Sequence, residues 1–261
     1  MHPTLEIVQL LAKESGAILR AGYGQKHQVD HKGLVDLVTE MDRKSENYLI
    51  EQIQSRYPDH QIISEESGHL NGDHNHGWYI DPLDGTVNYA HGIPIFSVSI
   101  AYLVNQTVQI GAVYDPMRDE LFSAERGEGA FLNGEPLHVS SAQKMIDSLL
   151  VTGFPYDLWS SKVNNLEYFS RFSRQSQGVR RLGSAALDLC YVAAGRFDGY
   201  WEIKLSPWDI AAGTLIAQEA GALVTDMNGS PDFLRPPYSI VTANQDILPL
   251  MLAVLKEQQT V

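Results

Sequence analysis

Trp78-Tyr79-Ile80-Asp81-Pro82-Leu83-Asp84-Gly85-Thr86, continuing through Val87-Asn88-Tyr89 to Ser99, is the stretch from which the fold is read. Trp78, Tyr79 and Ile80 are aromatic or β-branched and read as the end of a buried strand. Pro82 fixes its own φ and lacks an amide donor, so the ladder is expected to stop there. Gly85 admits a backbone conformation that side chains disfavour. Thr86 suits the N-cap of a short helix through Tyr89. Asp81 and Asp84 stand three apart in this turn. Two carboxylates about 5 Å apart at an effective dielectric near 20 repel by roughly 3 kcal/mol. A turn that brings them together needs a cation or a proton. Oxygen ligands without Cys or His point to Mg²⁺, Mn²⁺ or Ca²⁺ rather than zinc. The amides of Gly85 and Thr86, at a helix start, suit an anion such as phosphate. The competing reading is a solvated Asp-rich turn with Asp84 as a local cap.

The 261 residues allow one large domain or two intimate halves. A formal net charge of −13 argues against general binding to nucleic acid or an anionic membrane. It also sets a problem for an enzyme of phosphate esters, which bound cations would solve. The single cysteine, Cys190, lies in an apolar run and reads as a small core residue. No signal peptide is expected from Met1-His2-Pro3-Thr4 and the Glu6, Lys13 and Glu14 that follow, and no apolar run approaches membrane-spanning length. The expected location is cytoplasmic.

Leu5, Val8, Leu11, Ile18 and Leu19 follow helical spacing over residues 4–21, with Thr4 as N-cap and Gly22 or Gly24 as stop. Residues 25–34 read as a polar, basic loop (Lys26, His27, His31, Lys32), and 35–39 as a strand. Thr39 to Asp42 has the form of a capping box for a helix that ends at Pro58. Gln61 to Ser64 is a short strand leading into Glu65-Glu66-Ser67. Residues 69–77, with His69, His74 and His76, read as a solvated loop. Strands follow from Ile95, where Phe96, Val98 and Ile100 alternate with Ser97 and Ser99, and over 108–114 and 120–124, then an Asn133-Gly134 hairpin. The second half alternates: strands at 149–152, 199–203, 222–226 and 239–242, with helices around 169–172, from Gly183-Ser184-Ala185 to Gly195, from Ser206-Pro207 to Gly221, and over 246–257. The expected organisation is an N-terminal half, 1–145, with a largely antiparallel sheet, and a C-terminal half, 146–261, with a mixed sheet and helices.

Five acids fall at the ends of elements: Asp42, Glu65, Asp81, Asp84 and Asp209. Asp42 and Asp209 sit at N3 of their helices, where capping alone would explain an acid. Their shared placement beside strand ends and helix starts weighs against five separate explanations.

On these residues the chain resembles the inositol monophosphatase family of the lithium-sensitive, Mg²⁺-dependent phosphatase superfamily. Asp81-Pro82-Leu83-Asp84-Gly85-Thr86 is similar to its first signature and Trp208-Asp209-Ile210-Ala211-Ala212-Gly213 to its second. Glu65-Glu66-Ser67 and the Asp36 to Asp42 block match two more, in order, across nearly the whole chain. The resemblance implies a layered α/β (α+β) sandwich and a homodimer. It implies a first Mg²⁺ on Glu65, Asp81 and the Leu83 carbonyl, and a second on Asp81, Asp84 and Asp209. A third, weaker ion would lean on Glu65. Asp42 with Thr86 would activate the attacking water, and Gly85 and Thr86 would hold the phosphoryl group. Glu202 and the Gly183-Ser184-Ala185 turn would contact substrate hydroxyls. Lys204 stands where many relatives have glycine, and Lys32 falls near where they place a lysine by the third metal. The implied substrate is an inositol monophosphate. Histidinol phosphate, fructose 1,6-bisphosphate and 3′-phosphoadenosine 5′-phosphate are alternatives of the same chemistry, and a regulatory binding role in RNA metabolism is an alternative of another class.

Overall fold

The structure, a computed structural model, describes residues 2–25, 29–31 (backbone only) and 37–256. Lys26, His27, Lys32 and the start of the strand expected at 35–39 lie outside them, as does residue 257 of the last helix.

Helix α1 (Leu5–Gly22) presents Val8, Leu11, Ala12, Ser15, Gly16 and Leu19 along one buried face, as its spacing predicts. Strands β1 (Val29–His31) and β2 (Leu37–Thr39) pair antiparallel, so part of the expected basic loop is a ribbon. Helix α2 (Glu40–Arg56) starts from the Thr39–Asp42 capping box. There follow β3 (His60–Ser64), β4 (Gly68–Leu70), β5 (Asp73–Asp84) and the short α3 (Thr86–Ala90). Then come β6 (Ser97–Val104), β7 (Thr107–Asp115), β8 (Glu120–Glu125), β9 (Ala130–Leu132) and β10 (Glu135–Pro136). The second half contains β11 (Leu149–Thr152), α4 (Leu166–Gln175), β12 (Gly178–Arg180), α5 (Ala185–Ala193) and β13 (Gly199–Ile203). It closes with α6 (Pro207–Glu219), β14 (Leu223–Thr225), β15 (Ser239–Ala243) and α7 (Ile247–Lys256).

One sheet has eight strands in the order β10-β9-β8-β7-β6-β5-β3-β4, antiparallel except for β3 beside β5. A second large sheet has five, β12-β11-β13-β15-β14, with β11 parallel to both neighbours and the rest antiparallel. Helices α1 and α2 cover one face of the first sheet, packing Leu11, Leu49 and Ile53 on Trp78, Ile100 and Tyr102. Helices α5 and α6 lie between the sheets, where Leu187, Ile210 and Leu215 meet Leu103 and Phe122 from one and Tyr200 and Ile240 from the other. Helices α4 and α7 back the second sheet through Phe172, Met251, Trp201 and Val241. The result is a layered α/β sandwich whose central helices belong to both cores. Because α5 and α6 are sandwiched, they are apolar nearly all round. Cys190, on α5, is buried as expected.

Three local expectations are corrected. The strand does not end at Pro82. It continues to Asp84 with a bulge, since β5 and β6 pair at Asp81↔Ser99 and next at Asp84↔Ser97. A bulge tolerates the missing proline donor and re-aims the side chains beside it. Gly85, at φ 98°, is the N-cap of α3 in place of Thr86, whose hydroxyl is engaged elsewhere. A Cβ at Gly85 would also press on the carbonyl oxygens of Ile95 and Gly183. Residues 69–77 are largely strand: β4 and the start of β5 flank β3, and His76 stacks on His60 and Tyr102. Tertiary pairing overrides the polar composition there.

Candidate active site

The bulge in β5 and the helix starts around it hold the first group of acids by main-chain donors. The Leu83 amide donates to Asp81 Oδ1 at 3.0 Å. Ser45 of α2 donates to the Pro82 carbonyl at 2.8 Å, tying the bulge to that helix. The Thr86 hydroxyl is shared between Asp42 Oδ1 and the Leu83 carbonyl, 3.0 Å from each. Asp42 Oδ2 accepts from the Thr39 amide at 2.8 Å, and Asp209 Oδ2 from the Ser206 amide at 2.7 Å. Capping therefore fixes both N3 acids. Asp84 Oδ2 accepts from Ser184 Oγ, the Ala186 amide (2.9 Å) and Ser97 Oγ (3.3 Å), and Oδ1 accepts from the Ala185 amide (3.2 Å). The start of α5 is thereby anchored on β5.

Glu65 follows β3, and its amide donates to the Ile80 carbonyl at 3.2 Å. The turn it opens is held by Glu46 of α2. Glu46 Oε1 accepts from the amides of Glu66 (3.0 Å) and Ser67 (3.1 Å), and Oε2 from Ser67 Oγ (2.6 Å).

These elements enclose a cavity of about 300 Å³ lined by Glu65, Asp81, Leu83, Asp84, Thr86 and Asp209, among others. Gly85, Gly183, Ser184, Ala185 and Glu202 also reach it, so the sequence-predicted residues come together with one exception. Asp42 is fully buried behind Thr86 and meets the cavity only through that hydroxyl.

Burial dominates the electrostatics. It raises the carboxyls of Asp81 and Asp209 well above the usual range, and mutual repulsion with Glu65 adds to it; Asp84 presses on both. Burial also raises Asp84, although its hydrogen bonds from Ser184 and the α5 amides oppose the shift. Asp42 is raised by burial against the pull of Thr39. Among the described residues no salt bridge neutralises Asp81, Asp84 or Asp209.

The donor set fits a hard divalent cation. Among the described residues no three acids form a closed cluster around one point. Mg²⁺ does not require one, because it keeps waters and takes one or two carboxylates with substrate oxygens. Asp81, Asp84, Asp209 and Glu65, with Leu83, line the cavity and present oxygen donors only.

The second sheet supplies another wall. Glu202 on β13 accepts from Tyr200 OH at 2.7 Å. Burial pushes its carboxyl up to about 7 against that bond, with repulsion from Asp84 adding to the rise. Gly153, after β11, lies so close that a Cβ there would collide with the Glu202 carboxylate. Asp188 of α5 lines the same cavity, 1% exposed, and neither carboxylate oxygen has a hydrogen-bond partner. Burial and the charges of Glu202 and Asp84 raise its carboxyl well above the usual range. Lys204 does not pair with Glu202; it binds Asp157 and Ser161.

Sequence reasoning missed Glu46, Ser97, Tyr200 and Asp188. The available signal for Asp188 was an acid inside the apolar run Ala185-Ala186-Leu187-Asp188-Leu189. The others become visible only when distant strands and helices are brought together.

The model of the inositol monophosphatase family matches residues 1–260. The chain is 42% identical over 261 residues to "Nus factor SuhB" of Escherichia coli strain K12, covering 99% of this chain and 97% of the relative. It is 47% identical over 229 residues to "Inositol-1-monophosphatase" of a Synechocystis strain, covering 87% and 80%. The crystal structure of the extragenic suppressor protein suhB from Bartonella henselae superposes with a TM-score of 0.93 at 39% identity, covering 97% and 98%.

Proposed function

Because this chain belongs to the inositol monophosphatase family, we propose that it is a Mg²⁺-dependent phosphomonoesterase hydrolysing inositol monophosphates. One observation carries the reading: the buried Asp81 and Asp84 and the half-buried Asp209, with no cationic side chain paired to them among the described residues, share a cavity with Glu202, an acid suited to a polyol. The volume, about 300 Å³, lies at the small end of ligand sites and favours a sugar-sized alcohol over a nucleotide.

Asp81 with Glu65 and the Leu83 carbonyl would hold one ion, and Asp81 with Asp84 and Asp209 would hold a second. Bound there, Mg²⁺ lowers the pKa of water and neutralises developing charge on the phosphoryl oxygens. The chain's own part is orientation and proton transfer. Thr86 Oγ gives its hydrogen toward Asp42, which leaves its lone pairs to receive a proton from the attacking water. Asp42, made more basic by burial, then takes the threonine proton. The Gly85 and Thr86 amides would receive phosphoryl oxygens, and Glu202 a ring hydroxyl. The resemblance also supports a homodimer.

Phosphate release from a panel of phosphomonoesters, with Mg²⁺ and with EDTA, tests the reading. Release from inositol 1-phosphate that EDTA abolishes is the expected result; no release from any ester would sink it. A second reading, a binding role in RNA metabolism, draws support from relatives named Nus factor. An Asp84→Asn chain that loses turnover yet still performs that role would separate the two.

A further inference from the structure

Lys204 follows β13 with φ 58°, a left-handed conformation that favours glycine. A lysine kept there invites a reason in its side chain. Its Nζ donates to Asp157 Oδ2 at 2.6 Å and to Ser161 Oγ at 2.7 Å. Both partners lie on the segment that follows β11, the strand parallel to β13 in the same sheet.

That segment has a firm base. Asn165 Nδ2 donates to the Gly153 carbonyl at 2.7 Å, and Trp201 Nε1 donates to Asn165 Oδ1 at 2.9 Å. From the base, Gly153, Phe154, Pro155 and Tyr156 line the cavity, and the chain turns back through the Leu158, Ser160 and Ser161 amides bonded to the Pro155 and Asp157 carbonyls. Lys204, itself a cavity residue, grips this turn at its far side. The pair is half-exposed, 34% and 50%, so its strength is that of a surface ion pair, modest and sensitive to salt.

We propose that Lys204 is a positioning residue that sets the selectivity of the cavity. By latching Asp157 and Ser161 it holds the Phe154–Tyr156 wall inward. The cavity then admits the phosphate ester of a small polyol and disfavours one with a nucleoside-sized leaving group. The selectivity rests on the phosphatase reading; the latch itself does not.

Two measurements test it on the full chain. The first is hydrogen exchange at the amides of Leu158, Ser160 and Ser161 in Lys204→Met, Asp157→Asn and the double variant. Each single change should speed exchange about two- to fivefold, with the double no faster than either single. Lys204→Arg should restore slow exchange, and 0.5 M salt should mimic the loss in the parent. Unchanged exchange in Lys204→Met would overturn the latch. The second is the ratio of kcat/KM for inositol 1-phosphate to that for a nucleoside 2′-monophosphate, both with Mg²⁺. Lys204→Met should lower the ratio about two- to fivefold through KM, leaving kcat on inositol 1-phosphate nearly unchanged. An equal loss on both esters would make Lys204 merely structural and overturn the selectivity. A parent chain that releases phosphate from neither ester overturns the phosphatase reading and the selectivity with it, while the exchange result still decides the latch.

Discussion

The wall of the cavity supplied by the first sheet and the wall supplied by the second both carry carboxylates, held in different ways. On the first, Asp81 is held by an amide two residues on, and Asp42, behind that wall on α2, by one three residues back. Asp209, on the central layer, is fixed in the same manner. On the second, Glu202 leans on a phenol, and Lys204 reaches 47 residues back to Asp157. Main-chain anchoring leaves a side chain few alternatives, whereas side-chain anchoring changes with a single substitution. The chemistry would thus be rigid where ions and phosphate meet, and the selectivity adjustable where the alcohol sits.

The largest effect that could break this contrast is at Asp84. Asp84→Asn should lower Mg²⁺-dependent turnover by at least about a thousandfold, or roughly 4 kcal/mol, with an unchanged far-ultraviolet circular dichroism spectrum. Substantial turnover by this variant would remove the first wall from the chemistry.

Glu202→Gln should cost about ten- to a hundredfold in kcat/KM on inositol 1-phosphate, the worth of a charge-assisted hydrogen bond, and spare p-nitrophenyl phosphate, which has no ring hydroxyls. Since burial pushes the Glu202 carboxyl up to about 7, the difference between Glu and Gln should widen above that pH. Equal losses on both substrates would make the two walls one unit.

Several predictions of structure were legible because they are local. The α1 stripe and the two capping boxes each lie within a few residues or one helical face. The central helices were harder to orient, because a helix buried on all sides has no polar face to mark. Glu46 was silent for another reason. An acid on α2 reads as solvent-facing until the Glu65–Ser67 turn, 20 residues on, folds over it. The bulge was misread because a proline reads as a stop unless the partner strand is known to shift register.

A smaller effect sharpens the contrast in solution. Asp81, Asp84, Asp209 and Glu202 all have carboxyls raised by folding. The unfolded chain ionises these groups near their ordinary values, so the folded chain binds more protons across the interval above. In EDTA, their contribution to stability is therefore present at low pH and lost as pH rises from the ordinary carboxylate range, for Glu202 up to about 7. Mg²⁺ should raise Tm, and by more at pH 8 than at pH 5.5, because a ligand carboxylate must give up its proton. An increment that shrinks with pH would contradict the cavity as a cation site.

The smallest effect is at Lys204. Lys204→Gly relieves a left-handed lysine, worth about 1–2 kcal/mol. It loses an ion pair of about 0.2–1 kcal/mol and adds unfolded-chain freedom of about 0.4–1 kcal/mol. These nearly cancel, so Tm should move by no more than about 4 °C. A larger fall would show that the second wall is needed for the fold as well as for selectivity.

The bond from the Ala186 amide to Asp84 has a consequence for synthesis. Its partners are 102 residues apart, which at about 5–20 residues per second is a delay of about 5–20 s on the ribosome. During that interval the first sheet can pair, while the face that meets Leu187 and Ile210 waits uncovered with Leu103 and Phe122 on it. A chain stalled before residue 185 should accordingly be open to protease and to aggregation, and released from both once α5 and α6 have emerged.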